Sequence, residues 1–388
     1  MTGAMDRAIV EAGEAGVDRE RLDALLHRIR REVQGGPLPS AQVAVARHGR
    51  LVASRTWGAS AGARTRYITQ SVGRSVVAAA VWKLIGDGLL AVEEPVAQII
   101  PGFGANGKGA VTVEHVLTHT AGFPLAPLGY PKMLDREQRL AAFAKWRLDY
   151  EPGTRLQFHL TSAGWVIAEI VERRTGLALP AYLRERITGP LGLDSIELGV
   201  PVHDQAGSVA PMSATDRRED QEPDPWGPWY LADPRVLAAG DPSHAVVATA
   251  EDLALYYQAL RTSGLWRPGA VAEGSRLRFA AVPHGAESYG GGGRRTGMGL
   301  FVTVAGPEAG SGLPATGSPA TFGNTGAAYQ IGFLDPDSGV SFVLLSNGYP
   351  LSGYDFSPRA VAMLTEIADL AGSLAPPAGA VDQASPGA

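Results

Sequence analysis

The chain has 388 residues, 45% of them hydrophobic and 19% charged, with a formal net charge of -5 and no cysteine. It is long enough to bury a large core without disulfides or structural metal, and too apolar and too weakly charged to stay disordered. The near balance of 34 basic and 39 acidic residues favours neither nucleic acid nor an anionic membrane, and the lack of cysteine excludes thiolate zinc sites and cysteine nucleophiles.

Met1 to Glu14 carries Asp6, Glu11 and Glu14 and no apolar run of secretory-signal length. No stretch approaches 18 uninterrupted apolar residues, so no membrane span is expected and the expected location is the cytoplasm. Val17, Leu22, Leu25, Leu26 and Ile29 form a helical stripe behind Asp18, a capping residue. Ala41–Ala46 and Arg50–Ser54 read as a hairpin around His48-Gly49. Apolar residues recur at three and four from Ser71 to Gly88, predicting a helix that Ser71 opens. Further helices are expected over Thr112–His119, Arg136–Trp146, Ser162–Thr175 and Glu251–Thr262. Strands are expected over Met298–Val304, Ala327–Leu334 and Val340–Ser346, with a turn at Asp335–Gly339. A helix over Arg359–Ala371 closes the pattern.

Strands early, helices in the middle and strands late predict an α+β fold. One antiparallel sheet flanked by helices is expected from residues 1–70 and 236–374, a mostly helical inserted region from 71–235, and a loose Pro/Gly/Ala/Ser tail from 375–388. The cleft between sheet and insert is where a small-molecule substrate is expected to sit.

Several motifs have plain explanations. Gly102-Phe103-Gly104-Ala105-Asn106-Gly107 matches GxGxxG, but Pro101 before it and Gly109 after it leave no strand–turn–helix context, so it reads as a loop. The Gly290–Gly293 run lacks the lysine of a phosphate loop. His115 and His119 stand at the spacing of a helical zinc pair, but Val116 occupies the glutamate position and no third ligand is evident. A buried structural His119 is therefore expected, with no metal and no cofactor. Trp226, Trp229 and Tyr230 either line a ligand pocket or pin their loop to the body. Ser71 either caps its helix or presents a hydroxyl at the helix's positive end.

Family resemblance decides that last choice. Gln70-Ser71-Val72-Gly73-Arg74-Ser75, followed by Leu84–Leu90, resembles the Ser-x-x-Lys region of the class C β-lactamase, DD-peptidase and esterase family. Leu117–Pro124 resembles that family's Leu-Leu-Thr-His-Thr-Ser-Gly-Leu-Pro segment. Phe158-His159-Leu160 stands where the family has Tyr-x-Asn, and Asn324-Thr325-Gly326 where it has Lys-Thr-Gly or His-x-Gly. The resemblance spans about residues 20 to 370. It implies a β-lactamase/penicillin-binding-protein fold, Ser71 as nucleophile, and the backbone N–H groups of Ser71 and Ala327 as the oxyanion pair.

The departures concern protons. In the family the lysine and tyrosine carry the serine's proton. Arg74 replaces that lysine, and arginine keeps its proton. Phe158 replaces the tyrosine, Leu160 the asparagine and Asn324 the third basic residue. Arg74 and Asn324 are thus expected as charge-stabilising groups, His159 as the nearby base, and Phe158, Thr325, Gly326, Trp226, Trp229 and Tyr230 as substrate contacts. Three readings follow. One is an enzyme repurposed to a non-hydrolytic step such as cyclisation, isomerisation or elimination. The second is an atypical serine hydrolase or acyltransferase acting on an ester, thioester or amide. The third is a ligand-binding pseudoenzyme.

Overall fold

The computed structural model describes residues 3–59, 61–216, 222, 228–284, 295–308, 312–327, 329–352 and 357–377. Helix α1 (Arg19–Gln34) starts where Asp18 accepts a hydrogen bond from the Arg21 N–H, and it buries Leu22, Leu25 and Ile29. Strands β1 (Ser40–Arg47) and β2 (Arg50–Gly58) form the expected hairpin. His48 and Gly49 between them both take positive φ, the two-residue turn that matches strand twist.

The main sheet is completed by β3 (Phe279–Ala281), β4 (Thr296–Met298), β5 (Thr303–Val304), β6 (Phe322–Gly326), β7 (Gln330–Leu334) and β8 (Val340–Ser346). Its order is β2-β1-β8-β7-β6-β5-β4-β3, with every neighbour antiparallel. The first hairpin therefore lies against the last strand, and the two ends of the chain share one sheet.

All eight residues of β1 are buried, so helices must cover both faces. On one face Val43, Val45, Ile331, Phe342 and Leu344 pack with Leu25 and Ile29 of α1 and Met363 and Ile367 of α5 (Pro358–Gly372). On the other, Ala44, Val343 and Leu345 join α2 (Arg74–Gly86), α3 (Ser162–Thr175) and α4 (Ala250–Thr262) in the larger core. Alternation of valine and alanine along β1 sorts its side chains between the two. Trp82 of α2 is fully buried, donates from its indole N–H to the Leu300 carbonyl at 3.0 Å and meets Phe322 edge-on. The Gly102–Gly107 motif is a turn that runs into a kinked 3-10 segment, Ala105–Ala110. Asn106 and Gly107 take left-handed conformations, and the Asn106 amide donates to the carbonyls that end helix Arg136–Lys145.

Three expectations need correction. Ser71 does not open the α-helix: it lies in a 3-10 turn, Gln70–Gly73, that feeds α2. The strand expected over Met298–Val304 is split into β4 and β5. Phe301 turns with φ 66°, donates its N–H to the Leu117 carbonyl, and buries its ring beside His119 and Arg74. The strand expected from Ala327 begins at Gln330. Among the described residues no helix is long and apolar enough to cross a membrane.

Candidate active site

Ser71 is placed by strand pairing. Tyr67-Ile68 pairs antiparallel with Val246–Ala248, Tyr67 opposite Ala248 and Ile68 opposite Val247. Thr69 extends the register: its N–H and its hydroxyl both donate to the Val246 carbonyl, at 2.9 and 2.8 Å. Gln70, with φ 50°, then turns the chain into the 3-10 turn. Gly73 is required at this bend, because a Cβ there would fall 2.4 Å from Thr69 Oγ1 and 2.5 Å from Val246 Cβ. Ser71 is half-buried, and among the described residues its hydroxyl makes no hydrogen bond. It lies at the positive end of a helix whose body is buried. The backbone of Gly326 packs against the Thr69 carbonyl, bringing the end of β6 alongside this turn.

Arg74, one turn further on, is buried between two imidazoles, His119 and His244, and His159 stands next to His119. Its Nη1 lies 3.3 Å from His119 Nε2, and its Nη2 lies 3.4 Å from both His244 Nε2 and the Leu160 carbonyl. The hydrogen bonds settle each ring's tautomer. His159 Nε2 accepts from the Phe123 N–H and its Nδ1 donates to the Gln157 carbonyl at 2.7 Å, so both nitrogens are committed. His119 Nδ1 accepts from the His159 N–H, which leaves the proton on Nε2, where it meets Arg74 donor to donor. In His244, Nδ1 lies 3.1 Å from the Tyr230 hydroxyl, which itself donates to Asp241 Oδ2 at 3.0 Å. The hydroxyl can then only accept, so His244 Nδ1 carries the proton and Nε2 keeps its lone pair.

Burial holds all three rings neutral. Desolvation pushes His159 down to about 4. It pushes His119 well below the usual range, helped by the charge of Arg74. It lowers His244 as well, against the opposing pull of Asp241. Asp241 is fully buried and also accepts from the Ser243 N–H. The loop carrying His244 lies tight on α3, since a Cβ at Gly164 would fall 2.4 Å from Ser243 Oγ.

The other expected residues divide. Asn324 is buried and bonded away from Ser71: its Nδ2 donates to Ser75 Oγ at 3.2 Å and its Oδ1 accepts from Thr303 at 3.4 Å. Strand alternation turns Thr325 to the opposite face, where it packs beside Gly312. Phe158 stands 5.3 Å from the His119 ring, edge-on. Trp229 donates to the Pro350 carbonyl at 2.7 Å and packs on Tyr349, so it pins its loop, whereas Tyr230 reaches the Arg74 cluster through His244. Trp226 lies outside the described residues. His115 shares a capping box with Thr112, and among the described residues no three metal-ligating side chains gather. His159, expected as the base, has no lone pair left to serve Ser71. The sequence reading missed His244 and Asp241. The signal that could have found them was the apolar run Ala245–Ala248, which had to pair with a neighbouring strand and carry its flanking polar residues along.

A serine delivered to the start of a buried helix, in the seam between an antiparallel sheet and a helical region, is the arrangement of the penicillin-binding proteins and serine β-lactamases. The family model described as Beta-lactamase matches residues 25–365, and the chain belongs to that family. It is 29% identical to "Esterase EstB" of Burkholderia gladioli over 84% of this chain and 90% of that one. Among solved structures, it resembles EstA from Arthrobacter nitroguajacolicus Rue61a with a TM-score of 0.76 at 21% identity, covering 96% of this chain and 100% of that one. A penicillin-binding protein homolog from Caulobacter crescentus matches with a TM-score of 0.74 at 24% identity, over 90% of this chain and 97% of that one.

Proposed function

We propose that this protein is a serine hydrolase of esterase type, which takes the acyl group of an ester, thioester or amide onto Ser71 and passes it to water or another acceptor. The observation that carries this reading is the half-buried Ser71 hydroxyl at the head of α2, which makes no hydrogen bond among the described residues. The neighbouring end of β6 supports it, because an oxyanion needs donors on the far side of the acyl carbon. The relative named an esterase, aligned over most of both chains, supports it too. The non-hydrolytic alternative needed Arg74 and Asn324 to face the substrate together, and Asn324 is bonded to Ser75 and Thr303 instead.

The test is acylation. Intact-protein mass spectrometry after treatment with a fluorophosphonate, together with p-nitrophenyl acetate hydrolysis, should give one adduct and measurable turnover, both lost in Ser71→Ala. A second reading, binding without turnover, draws on Arg74 and Phe158 standing in place of the family's proton carriers. It would be favoured by no adduct under forcing conditions combined with thermal stabilisation by an acyl ligand.

A further inference from the structure

The remaining question is where the proton of Ser71 goes. We propose that His244, backed by Tyr230 and Asp241, is the general base for Ser71, in place of the lysine and tyrosine of the family. This rests on the serine-hydrolase reading above.

Three observations converge on His244. The first is position. The antiparallel register runs from Tyr67 opposite Ala248, through Ile68 opposite Val247, to Thr69 on the Val246 carbonyl. Beyond it, His244 Nε2 lies 3.4 Å from Nη2 of Arg74, which follows Ser71 by about one helical turn. The second is the lone pair. Of the three clustered imidazoles, His159 has both nitrogens committed and His119 presents an N–H. His244 alone among the three turns an unprotonated nitrogen toward Arg74, in a long 3.4 Å contact. The third is the support behind it. His244 Nδ1–H donates to the Tyr230 hydroxyl, Tyr230 donates to Asp241, and Asp241 Oδ2 lies 3.7 Å from His244 Nδ1. This is the general design of a base held in one tautomer by an acceptor behind it, with a carboxylate to stabilise the imidazolium once it forms.

The proton ledger closes within the site. As Ser71 Oγ bonds to the acyl carbon, the carbonyl electron pair moves onto its oxygen and the serine proton passes to His244 Nε2. Collapse of the adduct breaks the bond to the leaving atom, which takes that proton. Water then attacks the acyl-serine, gives its proton to Nε2, and the departing Ser71 oxygen recovers it. The groups facing His244 are Arg74 from α2, His119, Tyr230 and Asp241. Arg74 opposes the imidazolium and Asp241 favours it.

The experiment follows kcat/KM for p-nitrophenyl acetate from pH 4 to 9 in the full chain, with thermal unfolding measured on every variant. Wild type should show one acid limb below pH 6.5 and a plateau above it. His244→Gln should lose about 10²- to 10⁴-fold and the limb with it, and His244→Ala should regain part of the rate when imidazole is added. Tyr230→Phe, which deletes one hydroxyl and keeps the ring, should displace the limb, and Asp241→Asn should move it to lower pH. These two positioning variants carry the test if His244→Gln does not fold. An unchanged rate and limb in His244→Gln, with Ser71→Ala inactive, overturns this base and leaves the hydrolase reading standing. Absence of any acylation in wild type overturns both.

Discussion

Arg74 and Ser75 are consecutive residues of α2, and each anchors a buried polar cluster of opposite character. Around Ser75 the donors run in one direction: Thr303 to Asn324, Asn324 to Ser75, Ser75 to Tyr257, and Tyr257 to the Gly332 carbonyl. Each hydroxyl and amide in that chain has the partner it needs. Around Arg74 an N–H of His119 confronts a guanidinium donor, and a neutral His244 leaves a lone pair only loosely engaged. A completed hydrogen-bond chain holds a helix to a strand but has no place to put another proton. The Arg74 cluster does have one, at His244 Nε2.

The largest expected effect that separates the two clusters is acid lability. His119, His159 and His244 are neutral in the fold at pH values where the unfolded chain already binds a proton to each. Stability is therefore complete above about pH 7, and falls as pH drops from 6.5 toward the folded values, because protonation then favours the unfolded state. His159 alone, held at about 4, contributes a loss of about 3 kcal/mol over that window. Urea unfolding at pH 7.5 and at pH 4.5 should show it. A flat profile would mean that these rings are solvated or already charged. The Ser75 cluster contains no group that titrates in this range and should add nothing to the slope.

Next in size is Asn324→Leu. It removes the middle of the closed chain and leaves the Ser75 and Thr303 hydroxyls unmatched in the core, at a cost of about 1–3 kcal/mol. The acylation rate of Ser71 per folded molecule should not change. A large loss of kcat at preserved stability would return Asn324 to the catalytic role that its place in the motif suggested.

How much of this was legible beforehand follows from how local each feature is. Asp18 heading α1, the bounds of Ser162–Thr175 and the turn at Asp335–Gly339 are set by neighbours a few residues apart, and they were read from the chain directly. Ser71 was legible because the residues around it form a recognisable segment. The direction in which Asn324 points was not, because it depends on a serine and a threonine delivered by other elements. His244 was hidden for the same reason. The hydrogen bond that sets its register joins residues 177 apart, and nothing near Asp241-Pro242-Ser243-His244 in sequence indicates which strand it will meet. The Phe301 turn hid inside an apolar run that also suits a strand, and only the ring's burial against His119 and Arg74 explains the break.

The smallest expected effect lies in another pair of consecutive residues that the same division splits. Trp229 and Tyr230 share one 3-10 turn, Pro228–Ala232. The indole N–H of Trp229 reaches the Pro350 carbonyl, which ties the turn to the end of the sheet region, while the Tyr230 hydroxyl joins His244 and Asp241. Trp229→Phe keeps an aromatic ring against Tyr349 and deletes one hydrogen bond. It should cost about 1 kcal/mol and leave the acid limb of kcat/KM where it was. Tyr230→Phe should shift the limb and lower the unfolding midpoint further, because it takes the shared hydroxyl away from buried Asp241 and His244. If Trp229→Phe moved the limb as far as Tyr230→Phe does, the turn would act on the cleft as one unit, and the boundary between scaffold and site would have to be redrawn to include Trp229.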